Sequence, residues 1–385
     1  MSPDPKPTPG GGGAAIADLD CRYLAAAIRL GMSAHGLTFP NPSVGAILVN
    51  NGKVVGRART ARGGRPHAET IALSRAGAHA NGATLYVSLE PCAHHGRTPP
   101  CADAIIAAGV KRVVAGKRDP DPRVSGRGIA RLREAGLEVV QDGVGEGERA
   151  AHSGHMMRMG SGRPHVVLKM AISGDGFIGR RSAGQVAITG EIAHRYVQGL
   201  RSRFDAIVIG SGTAEADDPQ LTCRLPGLEE RSPIRIVIAG QGGIRPDLAL
   251  FSPASAAPSW VVSTTGRPEG FAVGADHVRW LRVAGSHGQV DLAAALQALG
   301  QAGLTRIMVE GGSRLAGSFL ASDLIDEAIL FRSPSEIGDD GIPAFADQGQ
   351  TANEWLAVIE KAAAFQPVDR RWFGQDRMTR YLRMR

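Results

Sequence analysis

Cysteine is scarce in this chain: Cys21, Cys92, Cys101 and Cys223 are the four in 385 residues. Two of them, Cys92 and Cys101, fall in a metal-ligand pattern, which leaves no disulfide framework and fits a reducing compartment. Aromatic residues make up 5%, little material for the stacking platforms of a nucleic-acid binder. No apolar run approaches the length of a membrane span. No repeat on the order of 20–50 residues is visible, which excludes a solenoid. The stretch from Ser2 to Gly13 is rich in Pro and Gly without an apolar core, unlike a secretory signal or an amphipathic transit sequence. Residues 1–17 are therefore expected to form a disordered tail. Together these absences predict a cytoplasmic protein with no membrane partner.

Hydrophobic residues at 43% and charged residues at 21% describe a globular protein. At about 150 residues per domain, the length allows two or three domains. The formal charge of +7 suits an anionic partner. With so few aromatics, phosphorylated small molecules are favoured over nucleic acid.

Apolar spacing predicts a helix over Asp20 to Ala34. A hairpin follows, Val44 to Val49 and Lys53 to Gly56, turning at Asn50-Asn51-Gly52. Helices are expected at His67 to Ala76, Cys101 to Ala108 and Gly128 to Ala135. Strands are expected at Ala83 to Leu89, Arg112 to Ala115 and Leu137 to Val140. Around Gly143 to Gly162 large apolar residues thin out, which places a linker at residues 153–163 between domains 18–152 and 164–385. The second series has strands at Val166 to Ile172, Ala206 to Ile209, Ile234 to Ile238, Trp260 to Ser263, Val278 to Val283 and Ile307 to Val309. Its helices are Glu191 to Ser202, Val290 to Gln301 and Arg314 to Ala321. Both halves are α/β layers.

His67-Ala68-Glu69, Pro91-Cys92 and Cys101 supply one imidazole and two thiols, with a carboxylate two residues from the imidazole. Zinc takes such ligands, and a catalytic site uses three plus water. This is the parts set of a hydrolytic zinc deaminase, except that eight residues separate the cysteines where the usual motif has two. Positions i and i+2 diverge inside a helix, so His67 and Glu69 converge only at a helix start, which Pro66 favours.

The runs Asn41-Pro42-Ser43-Val44-Gly45, His67-Ala68-Glu69 and Glu90 to Cys101 resemble the bifunctional pyrimidine deaminase/reductases of riboflavin biosynthesis. Asp119-Pro120-Asp121-Pro122-Arg123-Val124 with Gly126-Arg127-Gly128 resembles a loop of the same family. In that family the eight-residue gap is normal, and the long loop serves a pyrimidine carrying ribose 5-phosphate. The resemblance implies that His67, Cys92 and Cys101 bind Zn2+ and that Glu69 shuttles protons. It implies that Asn41 holds the pyrimidine edge and that His94 and Arg97 reach the phosphate. A guanidinium at Arg97 suits bidentate phosphate binding. His94 and His95 equally fit a loop-ordering role.

The second half has no zinc pattern and no Gly-x-Gly-x-x-Gly after its first strand. Glu310-Gly311-Gly312-Ser313 lies between a strand and a helix, a place where free backbone N–H groups can meet phosphate. Asp217-Asp218-Pro219 with Leu221, Thr222 and Arg224 reads as a polar turn on composition. Lys169 to Ser173, Asp175-Gly176, Ile188-Thr189-Gly190, Arg201, Gly210 to Arg224 and Glu310-Gly311-Gly312 resemble the reductase domain of the same family. That domain is similar to dihydrofolate reductase and uses NADPH. The resemblance implies cofactor contacts at Ala171, Thr213, Asp217, Gly311, Gly312 and Ser313. It implies that Arg201 and Arg224 hold the substrate phosphate, with Leu221 also at the substrate. It also implies that Lys169 and Glu310 lie near the ribose, where a lysine or acid would favour protonation of an imine, the catalytic role expected of Lys169. Ala187, Ala239 and Gly240 depart from that pattern.

The expected architecture is a cytidine-deaminase-like α/β/α domain followed by a dihydrofolate-reductase-like α/β domain. The expected activity is deamination of 2,5-diamino-6-(5-phosphoribosylamino)pyrimidin-4-one, then NADPH-dependent reduction of its ribosyl group, in a homo-oligomer. A deaminase whose second half only binds, and a nucleic-acid binder or RNA-base deaminase, are the competing readings.

Overall fold

The structure, a computed structural model, describes residues 18–96, 99–141, 145–182, 186–252, 257–267, 271, 277–345, 357, 359–360 and 364–384. The expected tail over residues 1–17, and Arg97, lie outside them. Two compact units divide the chain: Met1–Ala34 with Pro42–His152, and His35–Asn41 with Ser153–Arg385.

In the first unit, α1 (Asp18–Met32) precedes the hairpin β1 (Gly45–Asn50) and β2 (Lys53–Arg59). Then come α2 (Ala68–Ala76), β3 (Thr84–Leu89), α3 (Cys101–Ala107), β4 (Arg112–Lys117), α4 (Arg127–Glu134) and β5 (Glu138–Gln141). The sheet order is β2-β1-β3-β4-β5. β1 runs antiparallel to β2 and β3, while β3, β4 and β5 are parallel. α1 buries Leu24, Ala27, Ile28 and Gly31, a helical i, i+3, i+4, i+7 stripe. It packs on bare backbone: a Cβ at Gly45 would stand 2.0 Å from the Ala27 carbonyl oxygen. Buried Asp20 pins α1 to the sheet by accepting hydrogen bonds from Tyr86 Oη and from both terminal nitrogens of Arg112, each at 2.8 Å. The stretch read as a linker is largely helical. α5 (Gly145–Ser161) occupies it, and the unit boundary falls inside that helix, between His152 and Ser153.

The second unit continues with β6 (His165–Ile172), β7 (Phe177–Arg180), α6 (Glu191–Arg201), β8 (Ala206–Gly210), α7 (Ser211–Asp217), β9 (Ile234–Ala239) and β10 (Ser259–Ser263). β11 (Val278–Arg282), β12 (Gly285–Ser286), β13 (Gln289–Val290), α8 (Leu292–Gln301), β14 (Arg306–Val309) and α9 (Ser313–Ala321) follow. β15 (Glu327–Arg332), β16 (Gly341–Pro343), β17 (Phe365–Phe373) and β18 (Asp376–Arg383) complete it. Nine strands form one sheet in the order β11-β10-β9-β8-β14-β6-β15-β18-β17. β11 through β15 are mutually parallel, and β18 and β17 add antiparallel at one edge. The parallel strands are near-continuous apolar runs, as sheets covered on both faces require. Residues of alternating parity feed two separate cores, Ile234, Ile236 and Ile238 one and Val237 and Ala239 the other.

β14 returns between β8 and β6, so the strand order reverses there. Ligands of open α/β sheets bind outside the carboxyl ends of strands at such a point. Gly210, Glu310 and Gly312 stand at these ends. At the opposite ends, Glu327 accepts from Arg306 and Arg380, and Asp326 from Arg163.

Candidate active sites

α2 begins at His67, whose extended backbone (φ −69°, ψ 157°) makes it the N-cap. Its ring stays outside the helix while Glu69 sits in the first turn, the convergence that the i, i+2 spacing required. α3 opens with Cys101, capped by Pro100. Cys92 follows β3 and accepts the Cys101 backbone N–H at Sγ, 3.3 Å away. The Ala102 N–H donates to the Cys92 carbonyl at 3.1 Å. His67 Nδ1 lies 3.3 Å from Cys101 Sγ and 3.6 Å from Cys92 Sγ.

The three donor atoms lie within 4.8 Å of one another. Zinc bonds of about 2.0–2.3 Å at a tetrahedral angle separate N and S donors by about 3.5 Å, so this set fits the ion. Glu69 fits the chemistry beside it. It is 3% exposed, and its Oε2 is buried with no hydrogen-bond partner. Burial pushes the Glu69 carboxyl up, against the pull of His67. The Cys92 thiol is lowered to about 4 by hydrogen bonding from Cys101, with His67 adding to the effect. As the donor in that pair, Cys101 is pushed up. His67 is raised by its hydrogen bond to Cys92.

Glu90 stands just before Pro91-Cys92. Its buried carboxylate accepts the backbone N–H groups of Asp119, Gly126, Gly128 and Ile129 at 3.0–3.3 Å. The loop before α4 is thereby clasped to the Cys92 turn. A Cβ at Gly128 would stand 1.9 Å from the Pro91 carbonyl oxygen, so only glycine allows this approach. On the same loop, Asp121 takes Arg123 in a two-pronged hydrogen bond. Its carboxyl is held low by Arg123 first, with His94 contributing. His94 is half-buried, and its Nδ1 has no hydrogen-bond partner. His95 is exposed. Asn41 belongs to the short segment grouped with the second unit, where its N–H closes a turn on the Thr38 carbonyl.

In the second unit, Lys169 on β6 and Glu310 after β14 meet Arg201 at the end of α6. Arg201 Nε and Nη2 reach the two Glu310 oxygens at 2.9 and 3.0 Å. Lys169 Nζ stands 3.8 Å from Glu310 Oε2. Burial pushes Glu310 up, but Arg201 and Lys169 outweigh it and lower its carboxyl to about 2. Burial pushes the Lys169 ammonium down, which makes it a readier proton donor.

Next to this cluster, α7 and α9 start at the ends of neighbouring strands, with Gly210 and Gly312 as their N-caps. The Gly312 N–H donates to Thr213 Oγ1 at 3.0 Å, tying the two helix starts together. The buried Ser313 Oγ has no partner. An orphaned hydroxyl at a helix N-terminus fits a phosphate-bearing cofactor. Asp217 ends α7, so the segment read as a polar turn is helical up to that residue. Leu221 is buried with a left-handed φ of 51°, costly for a residue with a Cβ. Ala171 is half-buried on β6, and Arg224 is exposed in the loop after α7.

Two of the departures have visible surroundings. Gly240 lies against the β12–β13 hairpin, where a Cβ would stand 2.5 Å from the Gly288 carbonyl oxygen. Ala239 closes β9 in the core. His194 and Gln198 carry no assignment from the sequence. They lie seven and three residues before Arg201 on α6, on the helical face that Arg201 shares.

Residues 18–117 match the cytidine and deoxycytidylate deaminase zinc-binding region, and residues 164–368 match the RibD C-terminal domain. The chain is 40% identical over 329 residues to riboflavin biosynthesis protein RibD of Escherichia coli (strain K12), covering 83% of this chain and 88% of that protein. Acinetobacter baumannii RibD (form 1) superposes with a TM-score of 0.81 at 33% identity, covering 95% of this chain and 99% of that one. The Thermotoga maritima diaminohydroxyphosphoribosylaminopyrimidine deaminase/5-amino-6-(5-phosphoribosylamino)uracil reductase gives 0.80 at 29% identity with the same coverage. A donor set that fits zinc in one unit and a strand-order switch point in the other, with relatives matched over nearly the whole chain, place it: the chain belongs to the RibD family, the bifunctional deaminase/reductases of riboflavin biosynthesis.

Proposed function

We propose that residues 18–152 deaminate 2,5-diamino-6-(5-phosphoribosylamino)pyrimidin-4-one and that residues 164–385 reduce the ribosyl group of the product with NADPH. The observation that carries the first step is the unpartnered, buried Glu69 Oε2 beside the His67, Cys92 and Cys101 donors. Zinc, when bound, supplies Lewis-acid activation of water near neutral pH. Glu69 Oε2 takes the proton that water gives up and delivers it to the departing amine. Asn41 holds the pyrimidine edge, and His94 and Arg97 take the phosphate.

In the second step, NADPH supplies the hydride. Gly311, Gly312, Ser313, Thr213, Asp217 and Ala171 bind the cofactor. Arg201 and Arg224 hold the substrate phosphate, with Leu221 shaping the pocket. Lys169 Nζ donates a proton to the imine nitrogen of the opened ribose, and Glu310 keeps the ammonium oriented toward it. The same reading makes the enzyme a cytoplasmic homo-oligomer that binds neither nucleic acid nor membrane. Among the described residues, no helix is long and apolar enough to cross a membrane.

Glu69→Gln tests the first step. Ammonia release should fall by about 10²–10⁴, with zinc still bound at about one per chain. Full ammonia release by this variant would remove Glu69 from the mechanism.

A further inference from the structure

His194 lies exposed on α6, one turn before Gln198 and two before Arg201. The core stripe of α6 is Ala193 and Val197, so the neighbouring face carrying His194, Gln198 and Arg201 is left for the site. Gln198 is nevertheless buried, and its amide faces two ways. Its Oε1 accepts the Arg224 backbone N–H at 3.1 Å, while its Nε2 lies 3.5 Å from His194 Nε2. The first bond fixes which end of the amide is oxygen. Gln198 therefore donates to His194 Nε2, and the ring carries its hydrogen on Nδ1. One buried amide thus sets both the Arg224 backbone and the His194 ring.

The charged groups acting on His194 are Arg201 on its own helix, Arg224 after α7, Lys169 on β6 and Glu310 after β14. Three cations face one carboxylate, and that carboxylate is already engaged by Arg201 and Lys169. The surplus is positive, and the anionic part of the proposed substrate is its phosphate. We propose that His194 is a third contact to the substrate phosphate in the reductase site, beside Arg201 and Arg224. This rests on the reading of Arg201 and Arg224 as phosphate holders.

The consequence is a proton linkage. Burial, then Arg201, Arg224 and Lys169, hold the His194 ring below the ordinary histidine value. Without phosphate these groups favour the neutral ring. A doubly charged anion among these cations reverses the local field and favours the imidazolium, whose second proton goes on Nε2 at the cost of the long 3.5 Å contact from Gln198 Nε2. Phosphate binding then takes up a proton and tightens as the pH falls.

Sulfate is the probe, because it keeps both charges from about pH 5.5 to about pH 8. It is tested on the full chain as an inhibitor of reduction, competing with the deaminated, phosphorylated substrate. Wild-type inhibition should strengthen about tenfold from about pH 8 to about pH 5.5. H194Q should bind sulfate weakly with no such slope, and its loss with substrate should appear in KM more than in kcat. H194K, permanently charged, should bind tightly across the range. A wild-type slope retained in H194Q overturns the proposal. If R224Q abolishes inhibition and H194Q leaves it untouched, His194 has no part, while the phosphate reading of Arg224 stands. If neither substitution moves inhibition, both readings fall.

Discussion

Glu310 joins charge to function at the scale of single residues. Its carboxylate answers two buried cations, and removing it leaves Arg201 and Lys169 uncompensated. A broken buried pair of this kind costs about 3 kcal/mol or more. Glu310→Gln should therefore destabilise the protein by about that amount in urea denaturation and abolish reduction. The pH sign follows from its lowered carboxyl, about 2 against an ordinary 4.5. A depressed acid stabilises fully above the ordinary value, and its contribution is lost as the pH falls toward the folded one. The wild type should lose this stability between about pH 4.5 and about pH 2. The variant should lack that part of the acid dependence. An unchanged acid profile in Glu310→Gln would show that the pair does not stabilise the fold.

The Glu90 clasp acts between elements. It joins β3, the Cys92 turn, the loop from Asp119 and the start of α4 through four backbone hydrogen bonds. Gly128→Ala would put a methyl group into the Pro91 carbonyl, and relieving such overpacking costs about 1–3 kcal/mol. The strain falls on the turn that carries Cys92. Zinc content and ammonia release should drop together in this variant, while reduction of the deaminated product persists. Elemental analysis with the two separate assays checks this, and full zinc occupancy with normal ammonia release would refute it.

Legibility in the sequence followed from what each element buries. The β1–β2 hairpin announced itself through Asn50-Asn51-Gly52 between apolar runs, and α2 through Pro66 and the His67-x-Glu69 spacing. The clustering of His67, Cys92 and Cys101 was legible because few arrangements bring an imidazole and two thiols to two helix starts. α7 was not, because Ala214 is its one buried residue, so no apolar period marks it. β17 is mostly exposed and interrupted by Pro367 and Asp369, as an edge strand can be, and it carries no alternation to read. His194 and Gln198 are polar positions on α6, and apolar periodicity does not report them.

The whole molecule carries two chemistries with different requirements, and its charge of +7 suits substrates bearing phosphate in both. A strong zinc chelator should abolish ammonia release and leave reduction of the deaminated product intact, and readdition of zinc should restore the first activity. Parallel loss of both activities would mean that the metal supports the fold of the entire chain. If the zinc site makes the substrate of the reductase site, the two activities run in a fixed order. The assay for this supplies the diaminopyrimidine phosphate with NADPH and follows ammonia and NADPH together. NADPH oxidation should lag behind ammonia release and then match it one for one, and Glu69→Gln should stop both until deaminated product is added. NADPH oxidation by Glu69→Gln at the wild-type rate on the diamino substrate would contradict that order.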